Sequence, residues 1–454
     1  MEKLCLNEVM SSIGGKILKK GRVSQFTGIV TDTRKIENGD IFIALKGERY
    51  NANDFAIEAS KKGACLLILD ELHIELEILN DETTVILVEN TYKALRDLAE
   101  FYRTKLDIKI VAITGSTGKT STKDLVAAAL SYKYKVFKTE GNFNNEIGLP
   151  LMVFKLDKNY DIAVLEMGMS GFNEIHNLAK IAKPDIAIMT NVGVSHLENL
   201  KTRENILKAK MEITDFFDEN KCLIVNNDND LLRKIEDENY KIVRVGESND
   251  SNILAYKINL GNNFIEFNIK DKDFSEKFKL NLLGKHNVSN SLLAIAVAKE
   301  LGLTYEEIKL GFKNIKTTSM RMEIVSKNNI NIIKDCYNAS PDSMKAAIDV
   351  ISAMDGRKIA ILGDMNELGD DSYNMHKDIG VYAKCKNIDI ILTYGKYSKA
   401  YKEGFLEDSY VFEDREELIQ YIIEEIDDGD NILVKASRTE KYEIIADKLI
   451  NLQR

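Results

Sequence analysis

The segment IKIVAITGSTGKTSTKDLVAAALSY (108–132) constrains the fold more than any other part of the chain. Ile108, Ile110, Val111, Ala112 and Ile113 form an apolar run of the kind that becomes a strand buried on both faces. Thr114-Gly115-Ser116-Thr117-Gly118-Lys119-Thr120-Ser121 then makes a tight loop, and Leu125, Val126, Ala129 and Leu130 recur at helical spacing. A strand, a glycine loop and a helix opening on Lys-Thr together make a phosphate cradle. Backbone N–H groups and the helix N-terminus face the anion, Lys119 reaches the outer phosphates and the Thr120 hydroxyl can ligate Mg²⁺. The common phosphate-loop pattern would place a glycine five residues before Gly118, and that position is Ile113. The loop is therefore a narrower variant, TGxxGKTS. Its alternative reading is a glycine-rich turn that binds nothing.

At 454 residues the chain exceeds what one core supports, so several domains are expected. A net charge of −10 argues against a general nucleic-acid surface while leaving local phosphate sites open. The five cysteines (Cys5, Cys65, Cys222, Cys336, Cys385) are scattered without zinc-type spacing, which suits a reducing compartment. No signal peptide or membrane-spanning run is read, so the expectation is a cytoplasmic protein with no membrane insertion.

The predicted fold class is α/β in three blocks. Residues 1–106 read as a small α/β domain, with strands at 28–31, 40–45, 65–69 and 84–88, and FYRTKLDIK (101–109) leading out of it. Residues 107–317 read as a doubly wound, mostly parallel sheet, with strands at 108–114, 162–165, 186–190 and 222–225 and helices between them. Residues 318–454 repeat the alternation as a Rossmann-like domain, but the turn DCYNASP lacks GxGxxG, which counts against dinucleotide binding.

In open parallel sheets ligands gather at the carboxyl ends of strands. The glycine loop, Glu166 (DIAVLEMGMS) and Asn191-Val192-Gly193, followed by His196 (NVGVSHLE), fall at three successive strand ends. Glu166 can ligate Mg²⁺ or cap a helix, and His196 can serve a site or sit in a loop with its hydrogen bonds satisfied. Lys210, in LKAKMEITDFF, reads as an ordinary helix lysine. Asn287 and Asn290 (GKHNVSN) share a helix face, where their amides could read a purine edge or cap the helix. Arg321, Asp335, Asn338 and the loop GDMNELG (363–369) occupy turns after apolar strands, positions where sites are common.

These motifs, with GNFNNEIGLP (141–150), KAKMEI, RMEI, ILGDMNELG and VKASR, resemble the Mur ligase family of ATP-dependent amide-forming enzymes over essentially the whole chain. Within the family, NNEIGLP, YNASPDSM, GDMNELG, TDTRK (31–35) and FIALKGERYNANDF (42–55) favour the member that joins D-alanyl-D-alanine to UDP-N-acetylmuramoyl-tripeptide. The runner-up is a relative that adds a single diamino acid, although no DNPR-type motif is present. An ATP-driven switch is the reading from another class.

The resemblance implies a three-domain clamp: a UDP-sugar domain, a central ATP domain and a C-terminal ligase domain. It implies ATP on Lys119 and the loop Gly115–Ser121, with Asn287, Asn290, Arg321, Asp335 and Asn338 contacting the nucleotide. It implies Mg²⁺ at two sites, on Thr120 and Glu166 and on His196, with Lys210 carbamylated as a further ligand. Asp32, Thr33 and Arg34 would meet the uridine diphosphate, and Asn142 and Asn145 the peptide stem. The expected partners are these small molecules, and the expected state is a monomer. Departures from the family pattern are NANDF in the first block, Asn199–Thr202 after HLE, Ala436 in VKASR, and Tyr442.

Overall fold

The computed structural model describes residues 1–452; the last two residues of the third block lie outside the described residues. The first sheet contains β1 (Lys16–Lys19), β2 (Gly28–Val30), β3 (Asp40–Ile43), β4 (Leu66–Leu69) and β5 (Thr84–Leu87) in the order β1-β5-β4-β3-β2. All its pairings are parallel except β1 with β5. Helix α1 (Thr91–Thr104) leads out of this unit, so the connector is shorter than FYRTKLDIK suggests. Leu95, Leu98 and Tyr102 of α1 join one apolar core that contains Ile41 and Leu66 of the first sheet and Ile110 and Leu165 further on. The buried Tyr102 hydroxyl donates to the Leu156 carbonyl at 2.6 Å, so this aromatic ends on a satisfied polar group.

The central sheet holds β6 (Lys109–Thr114), β7 (Val136–Lys138), β8 (Ile162–Glu166), β9 (Ile186–Met189), β10 (Cys222–Asn226) and β11 (Lys241–Gly246). A meander of β12 (Ile253–Leu260), β13 (Ile265–Asp271) and β14 (Phe274–Leu280) completes it. The order is β14-β13-β12-β11-β10-β9-β6-β8-β7, antiparallel only within the meander. Ile110 and Ala112 enter one core while Val111 and Ile113 enter the other, as the two-residue period of a strand buried on both faces requires. Helix α2 (Lys119–Leu130) packs on the second of these cores with α5 (His286–Glu300). Because β6 lies between β9 and β8, connections leave it in both directions, and the loop after β6 sits at a topological switch point.

The expectation of helices between all strands of this block misses the meander. Its sequence alternates in burial, most clearly in β13, where Ile265, Phe267 and Ile269 are buried and Glu266 and Asn268 face outward. The third sheet, β15 (Glu323–Lys327), β16 (Ile330–Lys334), β17 (Lys358–Leu362), β18 (Ile390–Thr393), β19 (Ser409–Val411) and β20 (Asn431–Lys435), has the order β15-β16-β20-β17-β18-β19. Only β15 is antiparallel, and that edge strand was not expected from the sequence. Helix α6 (Pro341–Ser352) follows β16 and starts with Pro341 at its first turn, where a missing N–H costs nothing.

Candidate active site

The glycine loop is shaped by two backbone demands. Gly115 has φ +152, and a Cβ there would lie 1.8 Å from Thr190 Oγ1; Gly118 has φ +79, with Asn290 Oδ1 2.9 Å from its would-be Cβ. The end of β9 clasps the loop from the other side. Thr190 Oγ1 donates to the Thr117 carbonyl at 2.5 Å. Asn191 Oδ1 accepts the Thr117 N–H at 2.8 Å, and its Nδ2 donates to Thr117 Oγ1 at 2.8 Å. The Gly193 N–H reaches Ser116 Oγ at 2.9 Å. The residues after β9 therefore hold the loop in its conformation, with its backbone N–H groups placed for an anion.

Lys119 Nζ bends back to the Gly115 carbonyl at 2.7 Å. Burial pushes this ammonium below the ordinary lysine value, while the Glu166 carboxylate pulls it up. Glu166, at the end of β8 and 3% exposed, accepts from Thr120 Oγ1 at 3.0 Å and from Asn144 Nδ2 at 2.8 Å. It caps no helix, which removes that alternative. Asn287 and Asn290, on the first turns of α5, do not cap it either. Each amide gives one N–H internally: Asn287 Nδ2 to the Leu283 carbonyl at 2.7 Å and Asn290 Nδ2 to Asn287 Oδ1 at 3.1 Å. Thr122 Oγ1 donates to Asn290 Oδ1 at 3.2 Å.

A cavity of about 300 Å³ opens over the loop. Its floor is Ser116–Ser121 with Asn290, and its far wall is Arg321, Asp335 and Asn338 from the third unit. Arg321 stacks 4.1 Å above the Tyr337 ring and points Nη2 at Thr120 Oγ1, 3.4 Å away, while its Nε is buried without a partner. Asp335 accepts from the 1%-exposed Lys435, whose Nζ lies 2.6 Å from Asp335 Oδ2 and 2.9 Å from the Asn338 carbonyl. Asp124 on α2 anchors the entry to the third unit, accepting the Thr318 N–H at 2.7 Å and its hydroxyl at 2.8 Å.

Helices α3 (Leu197–Leu200) and α4 (Arg203–Met211) follow β9. His196, just before α3, has φ +63. Its Nδ1 lies 2.5 Å from Glu367 Oε2 of the third unit, an ion-pair distance without hydrogen-bond alignment. Lys210, on α4, is 1% exposed, and among the described residues nothing forms a hydrogen bond or ion pair with its ammonium. Burial and then the charge of Lys119 push it well below the ordinary lysine value.

The remaining expected residues lie apart from this cavity. Arg34 grips Asp32 through two hydrogen bonds of 2.9 and 2.8 Å, and this holds the Asp32 carboxyl down at about 2. Thr33 Oγ1 donates to Glu58 at 3.2 Å. Asn142 is exposed, and Asn145 Oδ1 accepts the Gly148 N–H at 2.8 Å, steadying the start of the next helix. The asparagine that reaches the site is their neighbour Asn144. Asn191, which the sequence places at the third strand end, does meet the glycine loop. Sequence reasoning passed over Thr190, Glu367 and Lys435; of these, Lys435 and Glu367 stand in the quoted motifs VKASR and GDMNELG.

Two hard oxygen donors, from Thr120 and Glu166, meet at the mouth of a phosphate-sized cradle. Among the described residues no three His, Cys, Asp or Glu side chains form a metal cage. This donor set fits Mg²⁺, which keeps water and phosphate oxygens in its shell and needs few protein ligands.

A glycine loop at the switch point of a parallel sheet, walled by a second α/β unit, defines a phosphate-loop α/β protein of several units. Comparison with known proteins makes this specific: the chain belongs to the Mur ligase family. Residues 25–103 match the model of the Mur ligase family, catalytic domain, residues 113–298 the Mur ligase middle domain, and residues 320–438 the Mur ligase, glutamate ligase domain. The chain is 40% identical over 433 residues to UDP-N-acetylmuramoyl-tripeptide--D-alanyl-D-alanine ligase of Bacillus subtilis (strain 168), covering 93% of each. A crystal structure of MurF from Acinetobacter baumannii superposes with a TM-score of 0.93 at 30% identity, covering 100% of both chains. MurF ligase from Thermotoga maritima in complex with ADP gives 0.84 at 29% identity, covering 93% of this chain and 96% of that one.

Proposed function

We infer that this chain is an ATP-dependent ligase that joins D-alanyl-D-alanine to UDP-N-acetylmuramoyl-tripeptide, with release of ADP and phosphate. The observation that carries the reading is the Thr120–Glu166–Asn144 cluster at the mouth of the glycine loop, in a chain so close to ligases of that name. Residues 1–106 take the UDP-sugar, with Asp32, Thr33 and Arg34 at the diphosphate end and Asn142 and Asn145 beside the peptide stem. Residues 107–317 hold ATP, and 318–454 close over it. The enzyme works as a cytoplasmic monomer on small molecules. Among the described residues no helix is long and apolar enough to cross a membrane.

The loop Gly115–Ser121 and Lys119 take the β- and γ-phosphates. Asn287, Asn290, Arg321, Asp335 and Asn338 flank the rest of the nucleotide. Thr120 and Glu166 hold one Mg²⁺ and His196 a second, which neutralise charge on the phosphates when bound. A terminal carboxylate oxygen of the tripeptide attacks the γ-phosphorus as the bond to ADP breaks. The dipeptide nitrogen then attacks the acyl carbon, phosphate leaves with that oxygen, and the amine gives up a proton. No side-chain nucleophile is required. Lys119 stabilises charge on the transferring group, and positioning and exclusion of water by the third unit supply most of the catalysis.

ADP release with a panel of acceptors tests the assignment. D-alanyl-D-alanine stimulates it in the presence of the UDP-tripeptide, and a diamino acid does not. Stimulation by the diamino acid alone, or fast ATP hydrolysis without any carboxylate substrate, overturns the reading.

Lys210 offers a second check. A lysine driven below its ordinary value destabilises the folded chain wherever the unfolded chain is protonated, which includes neutral pH. Lys210→Met removes that cost, so the melting temperature holds or rises. If Lys210 serves as a carbamate ligand, activity falls about 10- to 100-fold, and added bicarbonate does not restore it. Parental activity in this variant contradicts the carbamate role.

A further inference from the structure

The loop 363–369, between β17 and the next helix, is held more firmly than an exposed turn requires. Helix α7 (Ser372–Cys385) carries His376, which is 0% exposed. Its Nε2 accepts the Met365 N–H at 2.8 Å, and its Nδ1 lies 2.6 Å from the Ser372 carbonyl, one turn back. The ring stacks on Tyr397 with centroids 4.5 Å apart and meets the edge of Tyr401 at 5.2 Å. An imidazole that accepts at Nε2 and donates at Nδ1 is neutral, and burial, which lowers its pKa to about 4, keeps it so.

Two further ties fix the same loop. Asp364 accepts the N–H groups of Lys396 at 2.9 Å and Tyr397 at 3.0 Å, and the Asn366 N–H donates to Ser437 Oγ at 2.9 Å. Between these ties Glu367 adopts φ +64, a left-handed backbone that a glutamate keeps only when its surroundings impose it. The result is a carboxylate carried across the cleft to His196 Nδ1, 2.5 Å away, where that nitrogen is otherwise unpartnered.

We propose that Glu367 is a positioning residue for His196, supplied by the third unit, and that His376 holds the loop that brings it there. The proposal rests on the reading of His196 as a metal ligand. A carboxylate seated at ion-pair distance from Nδ1 favours the imidazole proton on that nitrogen and leaves the Nε2 lone pair to a metal ion. The metal site is then complete only when the third unit is seated against the central one.

Binding of Mn²⁺ to the full chain with a non-hydrolysable ATP analogue, followed by electron paramagnetic resonance, reads this directly. His196→Ala loses the second Mn²⁺; if it does not, the reading of His196 fails, and the proposal with it. Glu367→Gln weakens the second Mn²⁺ about 10- to 100-fold and leaves metal-free analogue binding unchanged. His376→Leu weakens it similarly, while His376→Gln, whose amide oxygen can accept the Met365 N–H, restores it. The double variant Glu367→Gln/His376→Leu binds no more weakly than Glu367→Gln alone. Parental Mn²⁺ affinity in Glu367→Gln, alongside loss in His196→Ala, overturns the proposal even if His376→Leu fails to fold. Additive losses in the double variant overturn the part given to His376.

Discussion

Lys119→Ala lowers ADP release by about 10²- to 10³-fold while the chain stays folded, the size of effect that follows loss of one pre-aimed charge from a transition state. The fold survives because Lys119 Nζ contributes one hydrogen bond, to the Gly115 carbonyl, worth about 1 kcal/mol. The loop around it is held independently by Thr190, Asn191 and the backbone of Gly193. Burial also makes the ammonium costly to keep, and the nearby Glu166 carboxylate offsets part of that cost. On the proposed reading, what is lost is a positive charge at the γ-phosphate. Steady-state assays that retain more than about a tenth of parental activity contradict the role given to it.

Lys435→Ala destabilises the chain by about 3–5 kcal/mol, because removing one partner of a buried ion pair leaves the other charge uncompensated. Lys435 is 1% exposed and Asp335 is 6% exposed. Without the ammonium, the Asp335 carboxylate keeps the Met322 N–H at 3.2 Å, and the Asn338 carbonyl loses the Lys435 donor. Replacing both partners with apolar residues of similar volume, Lys435→Met with Asp335→Leu, recovers most of the loss in stability. The double variant still lacks a wall of the nucleotide cavity and stays poorly active. Denaturation curves that place Lys435→Ala within about 1 kcal/mol of the parent contradict this account of the pair.

Much of the site was legible because it lies on regular elements. The apolar runs of β6, β8 and β9 are unambiguous, and a loop or carboxylate at the end of such a strand in a parallel sheet has few places to go. What the sequence hid depends on turns and on contacts between units. GNFNNE offers several asparagines: Asn145 spends its side chain on a helix start, Asn144 reaches Glu166, and only the turn between them decides which. Lys435 ends a strand, where a lysine normally reaches solvent, and it turns inward because Asp335, just past the end of the neighbouring strand β16, lies beside it. Glu367 meets His196 across 171 positions of chain, and no local pattern encodes that meeting. Lys210 reads as a solvated helix lysine on a helix of weak amphipathicity, and packing alone buries it. The meander β12–β14 was readable from its alternation and was passed over for a purely alternating α/β block.

The central claim is that ATP is spent on activating a carboxylate. Transfer of oxygen tests it most directly. With ¹⁸O in the terminal carboxylate of the UDP-tripeptide, one labelled oxygen moves to phosphorus in the first step and leaves with phosphate in the second. Mass spectrometry of one turnover should find the label in the released inorganic phosphate, in step with formation of the dipeptide amide. Unlabelled phosphate accompanying that amide would contradict an acyl phosphate, and with it the chemistry assigned to the glycine loop, Glu166 and Lys119.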